Sequence, residues 1–373
     1  MIEWSDDKIH SFQITLLDWY DHNKRDLPWR QDHDPYHVWI SEIMLQQTQV
    51  QTVIPYYERF MADFPTIEKL ASADEGKLMK AWEGLGYYSR ARNLQKAAKQ
   101  LVDDYHGKWP KTSEALQQLA GIGPYTAGAI ASIAFNQAVP AVDGNAFRVF
   151  SRLLEIDDEI SQPHTRQLFE KIIGKIISKD RPGDFNQAVM DLGSSYMTAA
   201  NPDSSHSPVK EFDQSFIDGI ELNYPVKNKK PRPKAITYYG LVVRSSAGIL
   251  MQKRPDTGIL ADFWTFPLVT ETELLTFDGK DEFLTESDMM TALTRYFKHN
   301  YQLLLNIQPL PVKAVIHTFT HQKWTIHLLA AELSSKVNLS FFPGNWFSQQ
   351  DFLDTAFPKV QQKMTERITS LDA

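Results

Sequence analysis

The segment KNKKPRPK, residues 227–234, divides the chain into two parts with different hydrophobic patterns. Before it, apolar residues recur at helical spacing, as in KIHSFQITLLDWY, where Ile9, Phe12, Leu16 and Tyr20 form one stripe. After it, the runs AITYYGLVV and ILMQKRP around SSAG predict one hairpin, and VKAVIHTFT and WTIHLLAAEL around HQK predict another, with one helix, SDMMTALTRYFKHN, between them. A polar, basic stretch with two prolines indicates a linker, and 373 residues are too many for one ordinary core. We therefore expect an all-α domain over residues 1–226, a linker over 227–234 and an α+β domain over 235–373.

The composition excludes several kinds of site. The chain has no cysteine, which rules out disulfides, thiolate metal sites and a cysteine nucleophile. No apolar run approaches the length of a membrane span, and the charged N-terminal region shows no secretory signal. We therefore expect a cytoplasmic protein that has no membrane partner. We also expect a monomer.

The net charge of −7 hides two basic clusters. Residues 77–111 hold eight lysines and arginines against three acidic residues, and the linker holds five basic residues. Salt screens charges beyond roughly 10 Å, so local clusters matter more to a polyanion at contact range than the total charge does. Charge alone favours a nucleic-acid surface and solvated helix faces about equally.

A helix, a glycine turn and a second helix are predicted in SEALQQLAGIGPYTAGAIASIAF, residues 113–135. The turn Gly121–Ile122–Gly123 would direct backbone N–H groups and a helix N-terminus toward one point, where a phosphate could bind. Taken alone, the turn is more typical of an ordinary connection between helices. Asp143 follows the second helix and adds a carboxylate close to this turn.

Several sequence blocks carry a resemblance to a known family. They are LPWR (27–30), WISEIMLQQTQVQTVIPYYERF (39–60), WEGLGYYSRARNL (82–94), GIGPYTAGAIASIAF (121–135) and AVDGNAFRV (141–149), continued by KRPDTGILADFWTFP (253–267) and HTFTHQKWTIHLL (317–329). In this order they resemble the MutY family of adenine DNA glycosylases, which remove adenine mispaired with 8-oxoguanine. The resemblance implies an all-α helix-hairpin-helix glycosylase domain followed by an α+β Nudix-like domain.

The chemistry of base removal explains two of the carboxylates. Cleavage of an N-glycosidic bond needs a proton donor at the base and a carboxylate beneath the sugar. Glu42 lies on an otherwise apolar helix that begins at Asp34-Pro35, so burial should raise its pKa. By resemblance, Glu42 protonates adenine at N7 and Asp143 stabilises or transiently bonds C1′. Tyr125 and Asn145 match residues that hydrogen-bond near these carboxylates. We also expect Gln46 and Gln49 to share one helix face with Glu42.

The resemblance further implies a monofunctional enzyme that binds double-stranded DNA and flips its target base. Related lyases carry a lysine just after the hairpin that forms a Schiff base, and GIGPYTAG has none. Extruding the base costs a few kcal/mol of stacking and pairing. The positions that match the adenine pocket are Trp29, Arg30 and Gln187. Those that match DNA-binding and intercalating positions are Gln47, Thr48, Leu85, Gly86, Tyr87, Tyr88, Gly121, Ile122 and Gly123.

Most of the family carries four cysteines that bind a [4Fe–4S] cluster after the motif DLG. Here Met197, Ser204, Ser207 and Asp213 stand at those places, and such clusters need thiolates. We therefore expect no metal and no Fe–S cluster, and an activity that does not need one. Asp203, His206 and Asp213 could form a zinc site, but we favour the alternative that they are ordinary polar residues of a loop. Whether an alkali or alkaline-earth cation binds at the hairpin is left open.

The second domain resembles a Nudix-type domain without its catalytic carboxylates. Residues 289–331 contain no Asp or Glu, so nucleotide hydrolysis is not expected. By resemblance, an exposed tip formed by Phe319, Thr320 and His321 recognises 8-oxoguanine, with Thr in place of the commoner Ser.

Two other functions remain open at this stage. The first is the same fold acting on thymine or oxidised pyrimidines, which Gln187 and the Trp29-Arg30 pair disfavour. The second is a DNA-structure binder without catalysis, which the paired acids disfavour because carboxylates repel a polyanion. The preferred substrate, A opposite 8-oxoguanine or G, would place the protein at the bacterial nucleoid.

Overall fold

The computed structural model describes residues 3–228, 231–283, 285–333 and 339–369. The chain divides into two compact units, one formed by Met1–Ala81 and Tyr87–Lys229 and the other by Trp82–Gly86 and Lys230–Ala373. Two positions of the predicted linker, 229 and 230, lie outside the described residues. No described helix combines the length and apolarity needed to cross a membrane.

The first unit is helical, as predicted. Its described helices are α1 (Asp6–Asn23), α2 (Pro35–Leu45), α3 (Val50–Asp63), α4 (Ile67–Ala71), α5 (Glu75–Ala81), α6 (Ser89–Asp103), α7 (Ser113–Leu116), α8 (Pro124–Phe135), α9 (Gly144–Leu154), α10 (Pro163–Ile176), α11 (Pro182–Ser195) and α12 (Gln214–Ile217). Proline stands in the first turn of α2, α8, α10 and α11, where its missing N–H leaves no unmet hydrogen bond.

The core of this unit forms where α1 packs against α9, α10 and α11. The predicted stripe of α1 is buried at Phe12, Leu16 and Tyr20, whereas Ile9 is only partly buried at the edge of the core. Aromatic rings fill the centre, and the Phe12 ring makes an edge-on contact with Phe150 at 6.4 Å between ring centroids. This core supports the inner ends of α9 and α11, the helices that carry much of the site described below.

The long helix expected after Asp34 is two helices. α2 ends at Leu45 and α3 begins at Val50, and Gln47 between them has a left-handed φ of 62°. The guanidinium of Arg90 donates to the carbonyls of Ile43 (2.6 Å) and Gln46 (2.9 Å), so the last carbonyls of α2 are satisfied without another helical turn. The prediction that Gln46 and Gln49 continue the helix face of Glu42 was therefore wrong.

The second unit is an α+β structure built on one mixed sheet. Its strands are β1 (Lys234–Ser245), β2 (Gly248–Lys253), β3 (Trp264–Thr265), β4 (Leu268–Thr270), β5 (Leu305–Pro309), β6 (Val315–Thr318), β7 (Gln322–Leu333) and β8 (Gly344–Phe347), and its helices are α13 (Glu271–Asp278), α14 (Glu286–Tyr301), α15 (Gln349–Asp354) and α16 (Lys359–Thr369). The central strands β1 and β7 run parallel, with Tyr238 opposite Ile326. Both predicted hairpins, β1–β2 and β6–β7, are confirmed as antiparallel pairs.

Alternating side chains of β1 supply two cores on opposite faces of this sheet. Tyr239, Leu241 and Val243 join one core with α14, whereas Tyr238 and Val242 join the other core with α16. This alternation follows from the two-residue period of a strand. The sequence predicted one helix between the two hairpins, but α13 and α14 both lie there. The short α13 escaped prediction because its eight residues are mostly polar and show little helical periodicity.

Candidate active site

A cavity of about 400 Å³ opens in the helical unit and collects residues that are far apart in the sequence. Its size suits a small ligand, for which sites span roughly 300–1,000 Å³. It brings together eight of the predicted site residues: Trp29, Arg30, Glu42, Thr48, Tyr125, Asp143, Asn145 and Gln187. Both predicted carboxylates therefore face the same cavity.

Glu42 is buried, with only 6% of its surface exposed. Burial, with a smaller contribution from the negative charge of Asp143, raises the pKa of its carboxyl to about 7, although the Tyr125 hydrogen bond and Arg30 act to lower it. The Tyr125 hydroxyl donates a hydrogen bond to Oε2 of Glu42. A carboxyl with this pKa is protonated in a substantial fraction of molecules at neutral pH, so it can donate a proton.

Asp143 is the N-cap of α9, and its carboxylate is held on several sides. Oδ1 accepts the backbone N–H groups of Asn145 (2.9 Å) and Ala146 (2.8 Å), and Oδ2 accepts the side-chain amide of Asn145 (2.8 Å). Burial raises the pKa of Asp143 above its ordinary value, while these bonds and the nearby Arg148 lower it. The capping bonds fix the orientation of the carboxylate.

Arg148 extends this arrangement beyond the cavity. Its guanidinium donates to the Asn145 side-chain oxygen (2.7 Å), to the Gly193 carbonyl (2.7 Å) and to the Met197 carbonyl (2.6 Å). A Cβ at Gly193 would lie 2.8 Å from the Cβ of Asn145, so α11 approaches this residue as closely as glycine allows. Asn145 is therefore held from two helices and positions Asp143 in turn.

Two residues at or beside the cavity were not predicted from the sequence. Asp191 on α11 is buried and accepts two bonds from Arg30, at 2.7 and 3.1 Å, and further bonds from Arg25, one of them at 2.9 Å. Arg25 and Arg30 line the cavity, and Asp191 holds both of them from beside it. The sequence contained a weak signal, since RDLPWR places two arginines five residues apart, but nothing in it indicated that the DLG aspartate holds both.

The hairpin has the conformation that its glycines suggested. Gly121 has a left-handed φ of 74°, and Gly123 is the N-cap of α8. On α8, a Cβ at Gly128 would lie 2.4 Å from the carbonyl oxygen of Pro140, so the small-residue face permits close backbone packing. Ile122 is buried and anchors the turn.

The other predicted DNA-contact residues differ in exposure. Gln47 is exposed and left-handed, and Tyr87 is 52% exposed with a positive φ of 46°. Strained backbone at exposed side chains is a common feature of functional loops. Gly86 also has a positive φ, and Tyr88 precedes α6. Leu85, in contrast, is buried, so the structure does not present it as an exposed wedge.

The four positions that hold cysteines in most of the family are all buried here. Met197 and Asp213 are fully buried, and Ser204 and Ser207 are 3% exposed. The Asp213 carboxylate accepts the Ser215 hydroxyl at 2.8 Å and caps α12. This donor set does not fit an Fe–S cluster, which is held by thiolates, and the chain has no cysteine.

The alternative zinc site does not assemble either. His206 contacts the Asp203 carboxylate at 2.7 Å on the surface, while Asp213 is buried. Among the described residues, no group of three or more histidine and acidic side chains could hold a metal ion.

The tip between β6 and β7 carries the residues predicted to read the opposite base. Thr320 and His321 are exposed. Phe319 was predicted to be exposed, but its ring packs between those of His317 (4.5 Å) and Trp324 (4.7 Å) and is half-buried. Phe319 therefore anchors the tip, because the ring reaches the apolar core beneath the hairpin.

Known families match both halves of the chain. Residues 40–175 match the HhH-GPD superfamily of base excision DNA repair proteins, and residues 238–367 match the NUDIX domain. The chain is 34% identical, over 96% of its length, to the adenine DNA glycosylase of Homo sapiens, of which it covers 74%. It is 30% identical, over 96% of its length, to the adenine DNA glycosylase of Buchnera aphidicola subsp. Schizaphis graminum, of which it covers 99%.

Solved structures show the same fold at lower identity. A thermostable thymine-DNA glycosylase is 24% identical, with a TM-score of 0.51 over 57% of this chain and 98% of the other. A trapped endonuclease III–DNA covalent intermediate is 22% identical, with a TM-score of 0.50 over 58% of this chain and all of the other. The fold and the relatives together show that the chain belongs to the adenine DNA glycosylase family, whose members remove adenine in base-excision repair.

Proposed function

We propose that the protein is a monofunctional glycosylase that excises adenine lying opposite 8-oxoguanine or guanine in duplex DNA. The observation that carries this proposal is the pair of carboxylates in one cavity: Glu42 is buried, with a pKa of about 7, and Asp143 is held as a helix cap. A group that stays partly protonated at neutral pH and a fixed carboxylate are what N-glycosidic cleavage needs.

The reaction would use the two acids in different roles. Glu42 donates its proton to N7 of the everted adenine, and the electron pair of the C1′–N9 bond leaves with the base. Asp143 faces the cationic sugar and stabilises C1′, electrostatically or through a transient bond. Water then adds to C1′, and its proton restores the acid. Tyr125 holds Glu42 in place through the hydroxyl bond.

The adenine would be held by groups that line the same cavity. Trp29 gives an apolar wall, buried to 6% exposure, and the amide of Gln187 has a donor and an acceptor for a purine edge. Arg30 is fixed by Asp191. We propose that this set selects adenine over thymine.

The absence of a lysine in the cavity supports a monofunctional mechanism. None of its lining residues is a lysine, so no amine is present there to form a Schiff base with C1′. High-yield borohydride trapping of the protein on an adenine-containing duplex would contradict this assignment.

We propose that the β6–β7 tip reads the base opposite adenine. The exposed hydroxyl of Thr320 and imidazole of His321 carry hydrogen-bonding groups that can distinguish the edge of 8-oxoguanine from that of guanine. The double variant Thr320→Ala/His321→Ala should lose preference for 8-oxoguanine while it still excises adenine. An unchanged preference would remove this role.

The proposal also holds that activity needs no Fe–S cluster. The buried side chains at the four cysteine positions replace ligands with packing and hydrogen bonds. Stoichiometric iron in pure, active protein would contradict this.

The decisive experiment measures base release under single-turnover conditions. Duplexes with A opposite 8-oxoguanine, A opposite G, T opposite G and A opposite T would be compared for wild type and Glu42→Gln. We expect release from the first two duplexes by wild type and none by the variant. Release of thymine would favour the pyrimidine-directed alternative, and tight binding without release would favour the non-catalytic binder.

A further inference from the structure

A row of basic side chains runs along α16 beside the strand that leads into the β6–β7 tip. Lys359, Lys363 and Arg367 are spaced four residues apart, so they lie along one side of the helix. The neighbouring residues Val360, Met364 and Ile368 are buried against the sheet, which fixes how far α16 can rotate. We call these three basic residues the α16 basic row.

The row is attached to β6 by a direct hydrogen bond. Nζ of Lys363 donates to the carbonyl of Ile316 at 3.2 Å, and Lys363 and Arg367 line a surface cavity of about 510 Å³ together with residues 314–316. Among the described strands β6 pairs with β7 alone, so its other edge is open. The cavity therefore lies at an edge of β6 that has no described strand beside it, and the α16 side chains that line it are Lys363, Glu366 and Arg367.

The charge of this surface is positive. The strands and tip beside it lie within residues 289–331, which contain no Asp or Glu. One acidic side chain, Glu366, lies among these basic residues. It is 68% exposed, and its carboxylate lies 3.9 Å from Nζ of Lys359. Exposed pairs of this kind contribute about 0.2–1 kcal/mol, so a stronger anion would displace Glu366.

The row contacts the same hairpin that carries the tip. Lys363 bonds to Ile316 in β6, β6 ends at Thr318, and Thr320 follows two residues later in the turn. The contacts of the Phe319 ring with His317 and Trp324 hold the turn against the strands. The basic row therefore adjoins the strand that leads into the tip.

We propose that the α16 basic row binds the phosphate backbone of the DNA strand whose base the tip reads. This inference rests on the proposed reading of the opposite base by Thr320 and His321, and it adds the sequence-independent contact that holds this strand. Lys363 and Arg367 are the main contacts, since both line the cavity. Duplex DNA is favoured over an acidic protein segment because the row on α16 contacts β6, the strand that leads into the proposed base-reading tip.

The test compares two variants with opposite charge changes. In Lys363→Gln/Arg367→Gln two cations are lost, whereas Glu366→Gln removes the competing acid. Lys298→Gln, an exposed lysine in the last turn of α14, is the matched control. Equilibrium binding to a duplex with A opposite 8-oxoguanine would be measured for the full chain in the Glu42→Gln background, between about 50 and 200 mM salt.

The salt dependence gives the distinguishing result. Loss of two phosphate contacts should lower the slope of log K against log salt by about 1.8 and weaken binding about threefold to tenfold at 0.15 M salt. Glu366→Gln should tighten binding, and Lys298→Gln should leave the slope unchanged. Each charge variant should keep the wild-type ratio of affinities for 8-oxoguanine and guanine duplexes, since phosphates carry no base information.

Several outcomes would overturn the proposal. An unchanged slope in the double variant would mean that no phosphate binds there, and would leave an acidic protein segment as the occupant. An equal fall in slope for Lys298→Gln would mean that the slope depends on the overall charge of the protein and not on the α16 basic row. If wild-type protein released no adenine, the proposed function would fail on its own, whereas the salt slopes would still report on the backbone contact.

Discussion

Replacing Glu42 by Gln should abolish base release and also stabilise the folded protein at alkaline pH. Gln has nearly the same shape and its side-chain oxygen can still accept the Tyr125 hydroxyl, but it cannot ionise. The wild-type carboxyl is buried, and its ionisation in the folded chain is unfavourable, as its pKa of about 7 against an ordinary 4.5 shows. Function and stability therefore make opposite demands on this position.

The sign and size of the effect follow from the two pKa values. Below pH 4.5 the carboxyl is protonated in both the folded and the unfolded chain. Between pH 4.5 and about 7 the unfolded chain releases the proton while the folded chain keeps it, so the free energy of unfolding falls as the pH rises. Above about pH 7 the loss is complete and amounts to about 3 kcal/mol. The Gln variant lacks this loss.

The assay is urea unfolding of both proteins at a series of pH values, followed by far-ultraviolet circular dichroism, which reports mainly on the helical unit. The stability of Glu42→Gln relative to wild type should rise by about 3 kcal/mol between pH 4.5 and 8. Glu58→Gln, an exposed carboxyl on α3, is the matched control and should stay within about 0.5 kcal/mol of wild type.

A parallel pH dependence in wild type and Glu42→Gln would refute the reasoning. It would mean that Glu42 is solvated or already paired in the folded chain, and that its pKa is ordinary. A variant that releases adenine at the wild-type rate would refute the assignment of Glu42 as the acid, whatever its stability.

Three further predictions concern the surroundings of the site. Tyr125→Phe removes a bond that lowers the pKa of the proposed acid, so the alkaline limb of the pH–rate profile should move to higher pH. Arg152→Met should destabilise the protein by about 3 kcal/mol or more in thermal or urea unfolding, because this fully buried cation donates to the carbonyls of Thr198 and Glu221 and its charge stabilises the buried carboxylate of Asp213; a neutral change would contradict this. Gly128→Ala should cost about 1–3 kcal/mol, since its Cβ would meet a backbone carbonyl, whereas Gly174→Ala, with open space around it, should stabilise by about 0.5–1 kcal/mol.

The local elements were largely predictable because short-range patterns set them. The period of apolar residues gave α1, and the β1–β2 and β6–β7 hairpins were recognisable from two strand-like runs around short polar turns. The break after Leu45 was not predictable in this way, since it depends on Arg90, which lies 45 residues later and takes the carbonyls that a longer helix would have used.

The features of the site likewise divide into those that local sequence predicts and those that depend on tertiary packing. Residue type and local spacing marked Glu42, Asp143 and the glycine turn as candidates, because a carboxylate is rare in an apolar helix and a glycine turn before a helix exposes backbone N–H groups. The burial that raises the pKa of Glu42 comes from residues of several helices packed around it. The sequence could not supply that value, since desolvation depends on what surrounds a group in space.

The sequence by itself determined two chemically different halves, a chain without thiolate ligands, and the acids and glycines available for base removal. Tertiary structure alone decided that Asp191 holds Arg25 and Arg30, that Phe319 is an anchor, and that the four positions at which the resemblance places cysteines are buried. The reason is physical: side-chain identity is local, but burial, pairing and electrostatic shifts arise only when distant segments exclude water from one another.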